Sequence, residues 1–316
     1  MTLADAPLLL LILLGGFLVA GALAPFEALG WWAGWFGAER RHEDPGAGGP
    51  VSAATRFVVF LSDVHSVSES SFARREIALL EALRARLPEA EVLEVFPYSV
   101  ENRALTGQRF FAWFWRFALR LKLSPFALAG FIINIRNLFQ VAVSADRRYG
   151  PIYNQGTAET IYRTLRQHGY AAGSGVPVVL IGYSGGGQIA LGAGSYLSKV
   201  TGAPVTVVAL GGIMASDPGM LELERVVLLS GERDRVQRLG RVLFPGRWPL
   251  LGYSSWNQAR ARGIVQEVSL GPVDHTGRGG YLDAEARLPD GRSHLEATVE
   301  VLAETIRGGA PNHAEG

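Results

Sequence analysis

Gly182-Tyr183-Ser184-Gly185-Gly186, followed at once by Gly187, is the segment whose residue types and spacing best suit chemistry. The apolar run 176–181 (VPVVLI) before it has strand character, and residues 187–197 after it follow a helical pattern. A serine among glycines at such a junction sits in a tight, strained turn that only small neighbours tolerate. The turn aims the hydroxyl at the N-terminal end of the helix. There the helix dipole and the N–H of Gly185 would stabilise an oxyanion, as nucleophilic attack on a carbonyl requires. Ser184 is therefore the candidate nucleophile. A phosphate-cradling turn is the rival use of these glycines, but the lysine of a P-loop is missing and so is the G-x-G-x-x-G spacing of dinucleotide sites.

The elements that must position Ser184 can be read on either side of it. Apolar runs at 56–61, 91–96, 176–181, 204–210, 225–230 and 263–270 predict six short strands buried on both faces. Helical patterns lie between most of them. At 71–87, Ile77, Leu80, Leu83 and Leu87 share one side, and Pro88 stops the helix. At 157–168, Ala158, Ile161, Tyr162 and Leu165 do the same. The last helix opens on a capping box, Ser293 with Glu296, directs Leu295, Val299, Leu302 and Ile306 inward, and ends before Gly308. Strands separated by helices predict one α/β domain over 56–307, with a mostly parallel central sheet and helices on both faces.

Over 56–307 the chain resembles the α/β-hydrolase superfamily and, within it, the lipase/esterase-like serine hydrolases. The strand order and the elbow GYSGG carry the resemblance. It implies a triad in the chain order Ser, Asp or Glu, His. The strand RVVLLS runs into Gly231-Glu232-Arg233-Asp234, where the superfamily's G-x-x-D spacing makes Asp234 the acid; Glu232 and Asp217 are its rivals. The strand ending at Leu270 runs into Gly271-Pro272-Val273-Asp274-His275, making His275 the base. His294 is the rival base, although it falls in the first turn of the capped helix, and Asp274 is read as a turn or substrate-side residue. Gly185 and Val64 are the expected oxyanion-hole donors. Tyr183 and Trp256 are the expected substrate contacts, Trp256 as part of a cluster with Trp248 and Tyr253. The chain departs from the family after its first strand: relatives carry His-Gly there, whereas this chain has Ser62-Asp63-Val64-His65. An aspartate is electrostatically awkward beside an oxyanion. Asp63-x-His65 also resembles the metal-binding opening of calcineurin-like metallophosphoesterases. Those need a later Gly-Asp and a Gly-Asn-His block; this chain has no Gly-Asp, and its single Asn-His pair is Asn312-His313.

Composition narrows the classes further. With 48% apolar and 19% charged residues, the chain is no disordered polymer. A net charge of +1 argues against a dedicated nucleic-acid binder. The absence of cysteine excludes thiol catalysis, disulfides and Cys-ligated metals. No metal or organic cofactor is expected.

Residues 7–26 (PLLLLILLGGFLVAGALAPF) carry no charge and are long enough to span a bilayer, with Trp31, Trp32, Trp35 and Phe36 following at headgroup level. A cleaved signal peptide would have a basic residue ahead of the apolar run, where this chain has only Asp5. Residues 1–38 are therefore expected to be a transmembrane anchor. Arg40 and Arg41 behind it favour a cytoplasmic catalytic domain. A Gly/Pro-rich linker is expected at 39–55 and a loose tail at 308–316. Residues 102–147 read as an insertion: up to Ser144 they hold six basic residues, no acidic one and many aromatics, a composition suited to an interfacial helix or a lid. The expected protein is a membrane-anchored serine hydrolase acting on carboxylic esters, with the bilayer and a lipid or small-molecule ester as its partners. An acyltransferase or thioesterase using the same triad, or a non-catalytic membrane-bound binding protein, are the alternatives.

Overall fold

The computed structural model describes residues 49–64, 74–98 and 128–309, together with Leu11, Ile12, Gly15, Gly16 and Val19, which are helical. The strands are β1 (Arg56–Leu61), β2 (Ala90–Val95), β3 (Val178–Tyr183), β4 (Val205–Leu210), β5 (Arg225–Ser230) and β6 (Val265–Ser269). The helices are α1 (Arg74–Arg86), α2 (Leu128–Ala145), α3 (Gly150–Gln167), α4 (Gly185–Thr201), α5 (Arg235–Leu243), α6 (Ser255–Ala261) and α7 (His294–Ile306).

The strands form one sheet in the order β2-β1-β3-β4-β5-β6, and every pairing is parallel. Parallel strands must be joined by crossovers, which lay helices on the sheet and bury both faces. That is why each strand is a continuous apolar run. Phe57, Val59 and Leu61 of β1 face a core shared with Ile161 and Leu165 of α3 and Ile189 and Leu197 of α4. Val58 and Phe60 face the opposite core, built with Leu79 and Leu83 of α1 and Leu302 and Ile306 of α7. The architecture is a six-stranded parallel α/β sheet covered on both faces, consistent with an α/β-hydrolase-like fold. The strand order reverses between β1 and β3. Such a switch point opens a crevice at the carboxyl ends of the strands, where α/β folds bind their ligands.

Several boundaries differ from the sequence expectation. β3 runs on through Gly182 and Tyr183, and α4 begins at Gly185, so the glycines leave only Ser184 between strand and helix. α3 starts at Gly150, seven residues earlier than the periodicity indicates, with Pro151 in its first turn. In α1 and just past its end, Leu80, Leu83 and Leu87 are buried as expected, but Ile77 is exposed and Glu76 is buried, with a carboxylate oxygen accepting the N–H of Asp63 (3.2 Å). Residues 49–55 of the expected linker are tied to the domain, with Ser52 N–H donating to Gly169 O (3.0 Å) and Thr55 N–H to Glu89 O (3.0 Å).

The expected anchor lies outside the described residues except for the five positions named above. Among the described residues, no helix is long and apolar enough to cross a membrane. Residues 102–127 of the insertion also lie outside. Its remainder forms α2, where Arg136 and Asn137 are fully buried. Arg136 is therefore no lipid-facing cation: its Nη1 donates to the carbonyl of Tyr98 (3.1 Å) and to Asn137 Oδ1 (3.1 Å).

Candidate active site

The turn at Ser184 is built by what its neighbours lack. A Cβ on Gly182 would fall 2.4 Å from the carbonyl carbon of Gly186, and one on Gly186 would fall 2.5 Å from the carbonyl oxygen of Leu61. Strand, turn and helix approach this closely only without side chains. Ser184 itself takes φ 52° and ψ −117°, the one positive φ on a non-glycine residue among those described. Such a conformation costs on the order of 1–3 kcal/mol and persists only where the surroundings enforce it. Here the Ser184 N–H is held by Leu210 O (2.9 Å), and the Ser184 carbonyl accepts the Gly187 N–H (3.1 Å).

Three crossovers deliver the partners. β3 leads straight into Ser184, β5 leads to Asp234, and β6 leads to His275. Ser184 Oγ lies 2.9 Å from His275 Nε2, and His275 Nδ1 lies 2.9 Å from Asp234 Oδ2. The carboxylate only accepts, so the tautomer is set by its partner: Nδ1–H donates to Asp234, which leaves Nε2 to accept the serine proton. Asp234 is fully buried as the N-cap of α5, and its Oδ1 accepts the Gln237 N–H (2.9 Å). Burial pushes its pKa up. The hydrogen bonds from His275, the Gln237 N–H and Tyr281 outweigh that and hold the carboxyl below its ordinary value.

The rivals are employed elsewhere. Glu232 is exposed, and its N–H is bonded to Gly271 O. Asp217 caps the short 3₁₀ turn Pro218–Glu222 by accepting the Gly219 N–H (2.7 Å). His294 is buried, with Nδ1 2.9 Å from the carbonyl of Gly279. Asp274 sits in a turn, its N–H donating to Gly279 O (2.8 Å). Asp283 pins the same loop by accepting the N–H groups of Gly279, Glu285 and Ala286, which lower its pKa to about 2. Arg75 of α1 reaches over to donate to Gly277 O.

Tyr281 is the residue that sequence reasoning missed. Its hydroxyl donates to Asp234 Oδ2 (2.7 Å) and accepts the Gly231 N–H (2.7 Å). Burial, with the Asp234 charge beside it, raises its pKa strongly and keeps it a neutral donor. No spacing marks it out in a glycine-rich loop.

The structure corrects two expectations and redirects a third. Val64 lies beside the elbow, since a Cβ on Gly185 would meet its Cγ1 at 2.7 Å. Its N–H, however, is taken by the Asp63 carboxylate, so it is not a free oxyanion donor. Its carbonyl accepts from Asn137 Nδ2 of α2 (2.6 Å), so the insertion braces this loop. Trp256 is 1% exposed and lies under the Arg247 guanidinium, 4.0 Å from its ring centre. It is a core residue and offers no face to a substrate. Tyr183 is buried and its hydroxyl donates to the carbonyl of His275 (2.9 Å), so it positions the histidine loop. Gly185 opens α4, where backbone N–H groups lack intrahelical partners. Among the described residues no three His, Asp or Glu side chains converge on a common metal position; His65 lies outside the described residues.

No protein-family model matches this chain, and no curated protein does. Among solved structures it is similar to a protein described as "the putative cell surface hydrolase from Lactobacillus plantarum WCFS1". The two share 9% identity over 82% of this chain and 94% of the other, with a TM-score of 0.38. A likeness that low bears on neither activity nor substrate.

Proposed function

We propose that this protein is a membrane-anchored serine hydrolase that cleaves carboxylic esters, with lipid-derived acyl groups as the favoured substrates. The observation that carries the reading is the unbroken line from Ser184 through His275 to Asp234, with the serine in a strained turn at a helix N-terminus. Ser184 Oγ attacks the ester carbonyl carbon while its proton passes to His275 Nε2, and Asp234 stabilises the imidazolium. The oxyanion is held at the N-terminus of α4, with the Gly185 N–H as first donor. Collapse of the intermediate breaks the bond to the alcohol, which leaves with the proton from His275. Water then attacks the acyl-enzyme by the same route and releases the acid. The apolar sequence 7–26, with Leu11, Ile12 and Val19 helical and exposed, supports anchoring in a bilayer.

Acyl transfer and thioester hydrolysis use the same groups with a different acceptor or leaving group. A non-catalytic binding protein is the reading favoured by one observation, the capture of the Val64 N–H by Asp63. Fluorophosphonate labelling of the full chain in detergent separates these. Labelling of the wild type that is lost in Ser184→Ala and in His275→Ala supports the hydrolase, and an acyl-chain-length series of esters then defines the substrate. A folded wild type that does not label overturns it.

A further inference from the structure

Surface helices of globular proteins bury their apolar stripe and show water their polar side. Helix α5 does the reverse. It turns Gln237 and Gly240 inward and displays Val236, Leu239, Val242 and Leu243 at 39–67% exposure. The connection that follows adds Trp248, Leu250 and Tyr253, all exposed, and the Trp248 indole N–H donates to Arg241 O (3.0 Å), joining the two parts into one surface.

The segment that forms this surface carries charge of one sign in its own sequence, and Glu267 of β6 is the acidic side chain that pairs with it, through Arg241. From residue 235 to residue 266 there is no Asp or Glu, whereas Arg235, Arg238 and Arg241 alternate with the apolar residues of α5. Arg241 pairs with Glu267 (3.0 Å) and Arg238 donates to the Glu232 carbonyl, while Arg235 is exposed. A second copy docking face to face would set arginine against arginine. Residues 102–127 of this chain bring only basic charge and would be repelled as well. The complement of interleaved valine, leucine, tryptophan and arginine is a surface with anionic headgroups above hydrocarbon.

We propose that α5 and the 245–253 connection form a docking face for an anionic phospholipid bilayer. The inference rests on the membrane part of the function proposed above and specifies the surface that makes the contact. Asp234 is both the N-cap of α5 and the acid partner of His275, so a docked α5 sets the candidate site at the lipid interface.

The chain has no cysteine, so a single introduced thiol can be labelled uniquely. Full-length Leu239→Cys carries a polarity-sensitive fluorophore and is reconstituted in vesicles of phosphatidylcholine or of equimolar phosphatidylcholine and phosphatidylserine. Val200→Cys, exposed near the far end of α4, is the control. A blue shift with a roughly twofold or greater rise in emission is expected at position 239 on anionic vesicles alone, and is lost on Arg235→Glu with Arg238→Glu. The same spectrum on both vesicle types, or a shift that survives charge reversal, overturns the proposal. So does a shift in lipid-free detergent solution that grows with protein concentration, because it identifies a second copy as the occupant. Adding Ser184→Ala leaves the expected signal unchanged, so failure of the hydrolytic reading and failure of this one are told apart.

Discussion

Tyr281 Oη and His275 Nδ1 converge on the same oxygen, Asp234 Oδ2, at 2.7 and 2.9 Å. Two donors on one lone-pair oxygen hold the carboxylate ionised in a fully buried position and leave it little freedom to rotate. Tyr281→Phe removes one donor at nearly constant volume. The expected result is a fall of about tenfold in kcat/KM, from a lost hydrogen bond of order 1–1.5 kcal/mol. The donor lowers the Asp234 pKa, so its loss raises it. The Asp234 carboxyl is then expected to take up its proton at higher pH in the variant than in the wild type, as an NMR titration of the carboxyl carbon shows.

Asp234→Asn keeps the shape of the α5 cap but lacks the charge that favours Nδ1–H on His275. With the ring proton driven to Nε2, the serine has no acceptor. Turnover of a short-chain ester is expected to fall on the order of 10³–10⁴-fold, with fluorophosphonate labelling slowed in parallel.

Ser184→Gly tests the strain in the elbow. Glycine adopts positive φ without steric cost, so this variant is expected to be more stable than Ser184→Ala by about 1 kcal/mol, measured as a shift in urea midpoint at unchanged m-value. Equal midpoints for the two variants would show that the turn stores no strain.

Asp283 predicts an acid-sensitive loop. Its folded pKa of about 2 lies below the ordinary value of 3.8, so its contribution to stability is complete above pH ~4 and disappears as the pH falls towards 2. Asp283→Asn is expected to cost on the order of 1–2 kcal/mol at neutral pH and to flatten thermal stability across that window. Because the anchored loop runs from His275 to His294, activity should fall along with the melting temperature.

The strands were legible in the sequence because a parallel sheet buried on both faces needs uninterrupted apolar runs. The 56–61 and 225–230 boundaries match β1 and β5, and the other four strands are displaced or trimmed by at most a few residues. The convergence of Ser184, Asp234 and His275 was legible because each lies in the connection after a strand's carboxyl end, so chain order prescribes their place. Three features were not. Tyr281 reaches Asp234 through a fold-back of the glycine-rich loop, which no local spacing encodes. Trp256 reads as a substrate aromatic until Arg247 is seen covering its ring. The apolar positions of α5 recur with helical spacing, but spacing carries no sign. Only packing shows that Gln237 and Gly240 take the inner side, and the Asp234 cap helps fix that rotation.

The three residues of the candidate triad hang from three different crossovers, with a sequence separation of 91 from Ser184 to His275 and of 41 from Asp234 to His275. During synthesis, β1, β3 and β4 can pair and set the elbow long before β6 leaves the ribosome. Until β6 docks on β5, the serine has no base and stays chemically inert. If Ser184 is the nucleophile we propose, its base is supplied only by the loop after β6, in the last fifth of the chain.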